Sequence, residues 1–296
     1  MRAITITQYG EPDVLRLSEV PLPEPGPGQV RVAVKAAGVN PIDWKIRSGA
    51  MAEVRPVEFP HILGLELAGV VDAAGEGAGF AVGDEVFGWS ATGAYAEYAL
   101  ANTVARKPAG LSWAEAATLP IAGETALRVL GELEVKPGET VLIHGASGQV
   151  GRFATQIAVA LGAAVIGTAG ARSLDEVKAL GAIPVQYGDS WVERVREAAP
   201  GPVDAVFDAA GFGVLADSVA LLGSPDRLIT IADPAAFAQG LTFSAIGTET
   251  QELLEDLLTR ELKIKLGSAY PLAEVAEAHR ESFTGHAGGK ITLTLD

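Results

Sequence analysis

The stretch HGASGQVG, residues 144–151, places Gly145, Gly148 and Gly151 at intervals of three directly after the apolar run TVLI. A strand-to-helix turn that only saves space needs one glycine, and three suggest that something must approach the backbone closely. Two readings compete. In one, the glycines mark a crowded turn. In the other, Gly145 permits the turn, Gly148 lets a pyrophosphate touch the backbone, and Gly151 lets the next helix pack against the sheet. The amino end of that helix would offer unpaired N–H groups and a positive dipole end to phosphates. The spacing is GxxGxxG, with Ala146 and Ser147 inside it, rather than the commoner GxGxxG, so the flanking sequence has to decide.

The flanks favour the dinucleotide. After TVLIHG comes a helix pattern from Gln149 to Leu161, then AAVIGT, a helix around Ser173 to Leu180, and IPVQYG. A helix around Ser190 to Ala198, VDAVFD, a helix around Val214 to Leu222, and RLITIA complete the series. Strands and helices alternating at this interval mean βαβ units on a doubly wound parallel sheet. An NAD site usually carries Asp or Glu about 20 residues beyond the turn, at the end of the second strand. Here that strand ends GTAGAR, with Ala169 in the acidic place and no carboxylate between Gly151 and Asp175. Gly170 leaves room and Arg172 supplies positive charge for a 2′-phosphate. Arg172 has a second reading as a solvated helix-terminal residue, but the missing acid still points to NADPH rather than NADH.

Working outward, the first third reads as β structure. RAITIT, VRVAVKAAGV, LAGVVDAAG, DEVFG and AYAEYALA are short strand candidates separated by glycine turns, and PLPEPGPGQV forbids helix and central strand. LSWAEAATLP and GETALRVLGEL have helical spacing, as do TQELLEDLLTREL and LAEVAEAHRESF near the end, before a last strand in GKITLTL. The expected organisation is a β-rich domain, 1–112 with 260–296, around a dinucleotide-binding domain, 113–259.

The bulk numbers narrow the function. At 296 residues the chain is long enough for two domains, and 48% apolar with 20% charged residues is ordinary for a folded protein with a sizeable core. A net charge of −15 without any basic cluster argues against nucleic acid and anionic membrane surfaces as partners. The apolar stretch beginning at Phe153 raises the question of a membrane span, but Gly162 and Gly167 interrupt it and its period changes near Ala163, so it reads as helix then strand. There are no cysteines, which excludes disulfides, thiolate catalysis and Cys-containing zinc sites. That fits a reducing compartment, and MRAITITQYG lacks a signal-peptide core, so the cytoplasm is the expected location.

GVNPIDWKIRSG (38–49), ILGLELAGVV (62–71), GDEVFG (83–88), AYAEYAL (94–100), VLIHGASGQVG (141–151) and VFDAAG (206–211) together resemble the medium-chain dehydrogenase/reductase superfamily, in its zinc-free quinone oxidoreductase branch. The resemblance spans nearly the whole chain and implies a GroES-like catalytic domain, a Rossmann domain, NADPH in a cleft, and a homodimer joined through the Rossmann domain. Zinc-dependent members ligate metal from the segments that here read GVNPID and GLELAG, and these offer Pro41 and Leu65, neither of which binds a metal. Without a Lewis acid, alcohol oxidation loses its usual mechanism. Quinones and conjugated enones need less help, because their π systems carry the hydride's charge onto oxygen.

By resemblance, Asn40 hydrogen-bonds a substrate carbonyl; otherwise it is a turn residue before Pro41. Lys45 stands where quinone oxidoreductases often have tyrosine, and it either stabilises enolate charge or is a surface lysine beside Trp44. Asp43 reads as a residue that orients its loop, and Glu66, in an apolar run, as buried and hydrogen-bonded. His61, His144, His279 and His286 lack metal-ligand spacing, and His144 reads as a packed ring more readily than as a catalytic one. For the cofactor the resemblance carries over Thr125, Gly145, Ala146, Ser147, Gly148, Gln149, Val150, Thr168, Arg172, Tyr187, Ala210, Gly211, Ile231 and Ala232. Of these Tyr187 could instead cap the core. The expected activity is NADPH-dependent hydride transfer to a quinone or an α,β-unsaturated carbonyl. The alternatives are a tailoring enoyl reductase, a non-catalytic NADPH-binding protein and, with zinc, an alcohol dehydrogenase.

Overall fold

The computed structural model describes residues 1–245, 247–285 and 287–295, so His286 lies outside the described residues. By its contacts the chain divides into two units, Met1–Ile121 with Glu249–Thr259 and Ile264–Asp296, and Ala122–Thr248 with Arg260–Lys263. The sequence reading set its boundaries at 112/113 and 259/260. In the structure the segment from Trp113 to Ile121 and the helix Gln251–Thr259 pack with the β-rich unit instead.

Parallel strands buried on both faces read as unbroken apolar runs. TVLIH does so, and all five residues of the strand Thr140–His144 are buried. It sits inside a six-stranded, all-parallel sheet whose spatial order is Ile183–Gln186, Ala164–Ala169, Thr140–His144, Ala205–Asp208, Leu228–Thr230 and Thr242–Phe243. Numbered along the chain this order is 3-2-1-4-5-6, which reverses between Thr140–His144 and Ala205–Asp208. In open α/β sheets such a reversal leaves a crevice at the carboxyl ends of the two strands, where ligands bind. HGASGQVG follows one of those strands and AAG of VFDAAG follows the other. Phe153 from the helix Gln149–Ala160 and Phe207 from the sheet are fully buried.

The other unit is antiparallel through most of its length. Its largest sheet runs Leu266–Pro271, Lys290–Thr294, Val30–Val39, Glu66–Ala74, Glu85–Trp89 and Thr103–Arg106, with Tyr98–Ala101 pairing to Val30–Val39. A three-stranded sheet, Arg16–Glu19, Arg2–Ile6 and His61–Ile62, completes it. The first half of Val30–Val39 alternates buried and half-buried residues, as a sheet with one covered face requires. The register Val39↔Ile291 brings the last strand against the first long one, and Ala37↔Leu67 aligns its other neighbour. These two pairings decide which side chains meet in the core. Among the described residues no helix is long and apolar enough to cross a membrane.

Candidate cofactor and active-site residues

At the crevice, Gly145 has φ +74°, in the left-handed region that a side chain disfavours. Gly151 is dictated by packing: a Cβ there would lie 2.2 Å from the Gly145 carbonyl oxygen. Gly148 is different, because a Cβ would meet only that same oxygen, at an ordinary 3.4 Å, and otherwise project into open space. It precedes the helix Gln149–Ala160, whose first amides have no intrahelical acceptor. Both polar atoms of the Gln149 side chain are buried without a partner, while Ala146 is fully buried and Ser147 and Val150 are half-buried. A backbone left bare at Gly148, free amides and an orphaned carboxamide fit an anionic group seated on this turn.

The loops around the turn are braced by buried side chains. The Ser218 hydroxyl donates its one hydrogen to the Val214 carbonyl (2.7 Å), so across 3.1 Å it must accept from His144 Nε2. His144 Nδ1 is then the acceptor for Thr168 Oγ1 (3.2 Å), and Thr168 Oγ1 accepts in turn from the Gly145 N–H (3.3 Å). The imidazole is therefore neutral and protonated on Nε2. Burial pushes its pKa down to about 4, against the opposing charge of Asp208. His144 packs edge-on against Trp191, with ring centroids 4.7 Å apart. It is a linker, with no titration near neutral pH to lend to chemistry.

On the neighbouring strand the buried Asp208 accepts the N–H groups of Ala210 and Gly211 through Oδ1, both at 2.9 Å. Its Oδ2 accepts from the Thr230 hydroxyl (2.7 Å), whose oxygen accepts from Ala232 and Asp233 N–H, both at 3.1 Å. Ile231 N–H donates to the Asp208 carbonyl (3.0 Å). One carboxylate thus holds both loops that carry Ala210, Gly211, Ile231 and Ala232. Sequence reasoning passed over Asp208 and Thr230; the signal was an acid ending an otherwise apolar strand, VFD.

Beyond the second strand, Arg172 is exposed in the short helix Ala171–Ser173. Tyr187 is 55% exposed, and its ring lies 3.4 Å from where a Gly170 Cβ would stand. Ala169↔Gln186 register and a Tyr187 N–H to Ala169 carbonyl bond (3.0 Å) bring Tyr187 beside GTAGAR. Thr125 is buried in the helix Pro120–Glu132, its hydroxyl 3.4 Å from Glu124 Oε2.

In the β-rich unit, Asn40 precedes the helix Pro41–Ser48 and is buried. Its N–H donates to Asp43 Oδ2 (2.7 Å), its Nδ2 donates to Glu66 Oε1 (2.8 Å), and its Oδ1 accepts from Lys290 Nζ. Lys290 also donates to Glu66 Oε1 (2.7 Å), and Glu66 Oε2 accepts the Ile121 N–H (2.9 Å). Sequence reasoning did not find Lys290; its only local sign is the GK that opens the last strand. Burial pushes the Asp43 carboxyl up to about 6, against the Asn40 N–H and the Lys290 charge. The Tyr95 hydroxyl sits beside Asp43, close enough to lower that pKa yet short of hydrogen-bond geometry. Lys45 lies 5.8 Å from the centre of the Trp44 ring, and partial burial lowers its pKa.

The same unit holds a cavity of about 350 Å³ whose wall includes Asp43, Arg55, His61, Leu65, Ser90 and Thr92. Neither Asn40 nor Lys45 lies on that wall. Burial, with the Arg55 charge, lowers the His61 pKa. Pro41 opens its helix and Leu65 faces the cavity, so neither brings a donor atom. Among the described residues no group of three His, Cys, Asp or Glu side chains could hold a metal ion.

Residues 26–112 match the alcohol dehydrogenase GroES-like domain family, and residues 150–278 match the zinc-binding dehydrogenase family. The human quinone oxidoreductase is 35% identical over 100% of this chain and 98% of its own. The chain belongs to the quinone oxidoreductase-like branch of the medium-chain dehydrogenase/reductase superfamily. Its fold matches the quinone oxidoreductase from Coxiella burnetii with a TM-score of 0.87, at 34% identity over 100% of this chain and 99% of the other. It also matches a mycobacterial protein solved in complex with NADPH, with a TM-score of 0.86 at 32% identity over 100% of both chains. The β-rich unit is thus GroES-like and the parallel-sheet unit Rossmann-like, as the sequence had suggested.

Proposed function

We propose that this oxidoreductase passes a hydride from NADPH to a quinone or an α,β-unsaturated carbonyl without a metal ion. One observation carries the reading. The crevice turn keeps the features a dinucleotide needs, while the two places where zinc-dependent members ligate metal hold Pro41 and Leu65. A site that binds a hydride donor but offers no Lewis acid suits acceptors that carry the charge themselves.

The residues divide the work. Gly145 to Val150 receive the pyrophosphate on bare backbone, and the loops braced by Asp208 and Thr230 close on the nucleotide at the sheet's reversal point. Ala169 removes the carboxylate that would repel a 2′-phosphate, and Arg172 and Tyr187 flank it. Bound NADPH supplies the hydride. Asn40 donates an N–H to the acceptor's carbonyl oxygen, where negative charge develops as the hydride arrives. The relative complexed with NADPH supports the choice of cofactor. The same reading carries a catalytic role for the β-rich unit and a nucleotide-binding role for the parallel-sheet unit, a homodimer and a cytoplasmic location.

The test is NADPH consumption by purified protein with a simple quinone and a simple enone, with NADH in parallel and metal content measured. Turnover by metal-free protein, with NADPH preferred, is expected. No turnover of either acceptor by protein that binds NADPH would sink the reading, and stoichiometric zinc would move it to an alcohol dehydrogenase.

A further inference from the structure

We propose that Lys290 and Glu66 are positioning residues that fix the Asn40 carboxamide one way round, so that an amide N–H, and not its carbonyl oxygen, is the group left for the substrate. The inference rests on the role given to Asn40 above and adds what decides its polarity.

A carboxamide is ambiguous by shape, because its oxygen and nitrogen ends are nearly equal in size and only the hydrogen-bond network separates them. Here the network admits one answer. The Lys290 ammonium can only donate, and the Glu66 carboxylate can only accept. Asn40 lies between them, with Oδ1 on Lys290 Nζ and Nδ2 on Glu66 Oε1. Turning the amide over would set its N–H against an ammonium and its oxygen against a carboxylate. The two charged partners also satisfy each other at 2.7 Å, and both are buried, so neither can swing away to solvent. Among the described residues one Nδ2 hydrogen is used on Glu66, and the second meets no acceptor. A cation on Oδ1 draws electron density from the amide and strengthens that remaining hydrogen as a donor.

The backbone explains why these residues meet. The pairing Val39↔Ile291 puts Lys290 one step beyond the register, opposite Asn40. The pairing Ala37↔Leu67 puts Glu66 opposite Gly38, where a Cβ would lie 2.1 Å from Glu66 Oε1. Gly38 therefore vacates the space that the carboxylate occupies. A site oriented in this way is committed to substrates that present a hydrogen-bond acceptor, above all a carbonyl oxygen gaining charge.

The test joins spectroscopy of the wild-type chain with a double-mutant cycle. In wild-type protein the two Asn40 side-chain amide protons should resonate well apart, the one on Glu66 downfield; free-amide shifts for both would overturn the proposal without any assay. Lys290→Gln, which can donate or accept, should bring those shifts together and lower kcat by about tenfold or more. NADPH affinity, read by quenching of protein fluorescence, should change by less than about twofold, since no ground-state cofactor contact is lost. Asn40→Ala should cost a similar amount, and adding Lys290→Gln to it should cost almost nothing further. Multiplicative losses, or an unchanged kcat, would overturn the positioning role. Should Lys290→Gln fail to fold, Lys290→Arg keeps a donor-only partner and should retain the amide shifts and most of kcat. If the wild type shows separated shifts but reduces no quinone or enone, the reductase reading fails while the orientation stands.

Discussion

One buried polar cluster in each unit shows two opposite ways of satisfying groups withdrawn from water. In the GroES-like unit, Asn40, Asp43, Glu66 and Lys290 form a charged cluster whose members lie at most 5% exposed. In the Rossmann-like unit, His144, Thr168 and Ser218 form a chain of neutral hydrogen bonds, and the nearby carboxylate of Asp208 is saturated by backbone N–H groups and a hydroxyl. A neutral link that breaks leaves a group costing about 1–3 kcal/mol. An ion pair that loses one partner leaves a buried charge, at about 3–5 kcal/mol. The comparison predicts its own largest effect: Lys290→Met, which strands Glu66, should destabilise by about 3–5 kcal/mol in urea unfolding. Ser218→Ala, which removes one neutral link, should cost about 1–3 kcal/mol. Equal losses would erase the distinction between the units.

Acid acts with opposite signs on the buried histidines, one in each unit, and on Asp43. His144 titrates at about 4 and His279 at about 3 in the folded chain, both depressed by burial, against an ordinary 6.5. Between pH 6.5 and 4 the unfolded chain binds the extra protons, so each histidine removes about 3 kcal/mol as pH falls through that window. Asp43 runs the other way: its carboxyl is raised from 3.8 to about 6, so the folded chain binds the proton first and gains stability as pH falls below 6. Two histidines against one carboxyl leave a net loss of about 4 kcal/mol by pH 4. Chemical unfolding across this range checks it, and His144→Gln should flatten the slope. A stability that rises on acidification would show that Asp43 outweighs both rings.

The same contrast separates what could be read from the sequence. Strands such as Val30–Val39 and Thr140–His144 announced themselves through apolar pattern, and the crevice turn through glycines local to eight residues. The helix Pro41–Ser48 was missed inside a region read as β, although Asn40, Pro41 and Asp43 together spell a helix start. Short edge strands such as Arg16–Glu19 and Thr242–Phe243 carry too few residues for a period and exist by pairing. Lys290 lay furthest out of reach, since its partners Asn40 and Glu66 stand 250 and 224 residues away. A turn is written in neighbours. A buried ion pair is written in register, which only the folded sheet supplies.

Within the Rossmann-like unit the loop brace gives a smaller effect. In Asp208→Asn the new amide would have to donate to Thr230 Oγ1, which already accepts two N–H groups. The brace should loosen, leaving the amides of Ala210 and Gly211 less protected. NADPH binding should weaken by about tenfold, near 1.4 kcal/mol, with a fall in melting temperature of a few degrees. Fluorescence titration and amide exchange at those two residues report it. Unchanged exchange with weakened binding would mean that the carboxylate acts on the cofactor by charge and not through the loops.

The smallest effect belongs to the surface. Arg172 is exposed and pairs with no carboxylate among the described ion pairs, so Arg172→Ala should leave stability within about 0.5 kcal/mol. Its effect should appear only in discrimination. An exposed guanidinium on a phosphate is worth about 1 kcal/mol, so KM for NADPH should rise by about fivefold while KM for NADH stays level. High salt should shrink that difference, because screening acts on exposed charges first. Ala169→Asp is the converse change. It restores the missing acid at the end of the second strand and should repel the 2′-phosphate while favouring a ribose with free hydroxyls. If Arg172→Ala left the preference for NADPH untouched and Ala169→Asp abolished it, discrimination would rest on the vacated acidic position alone.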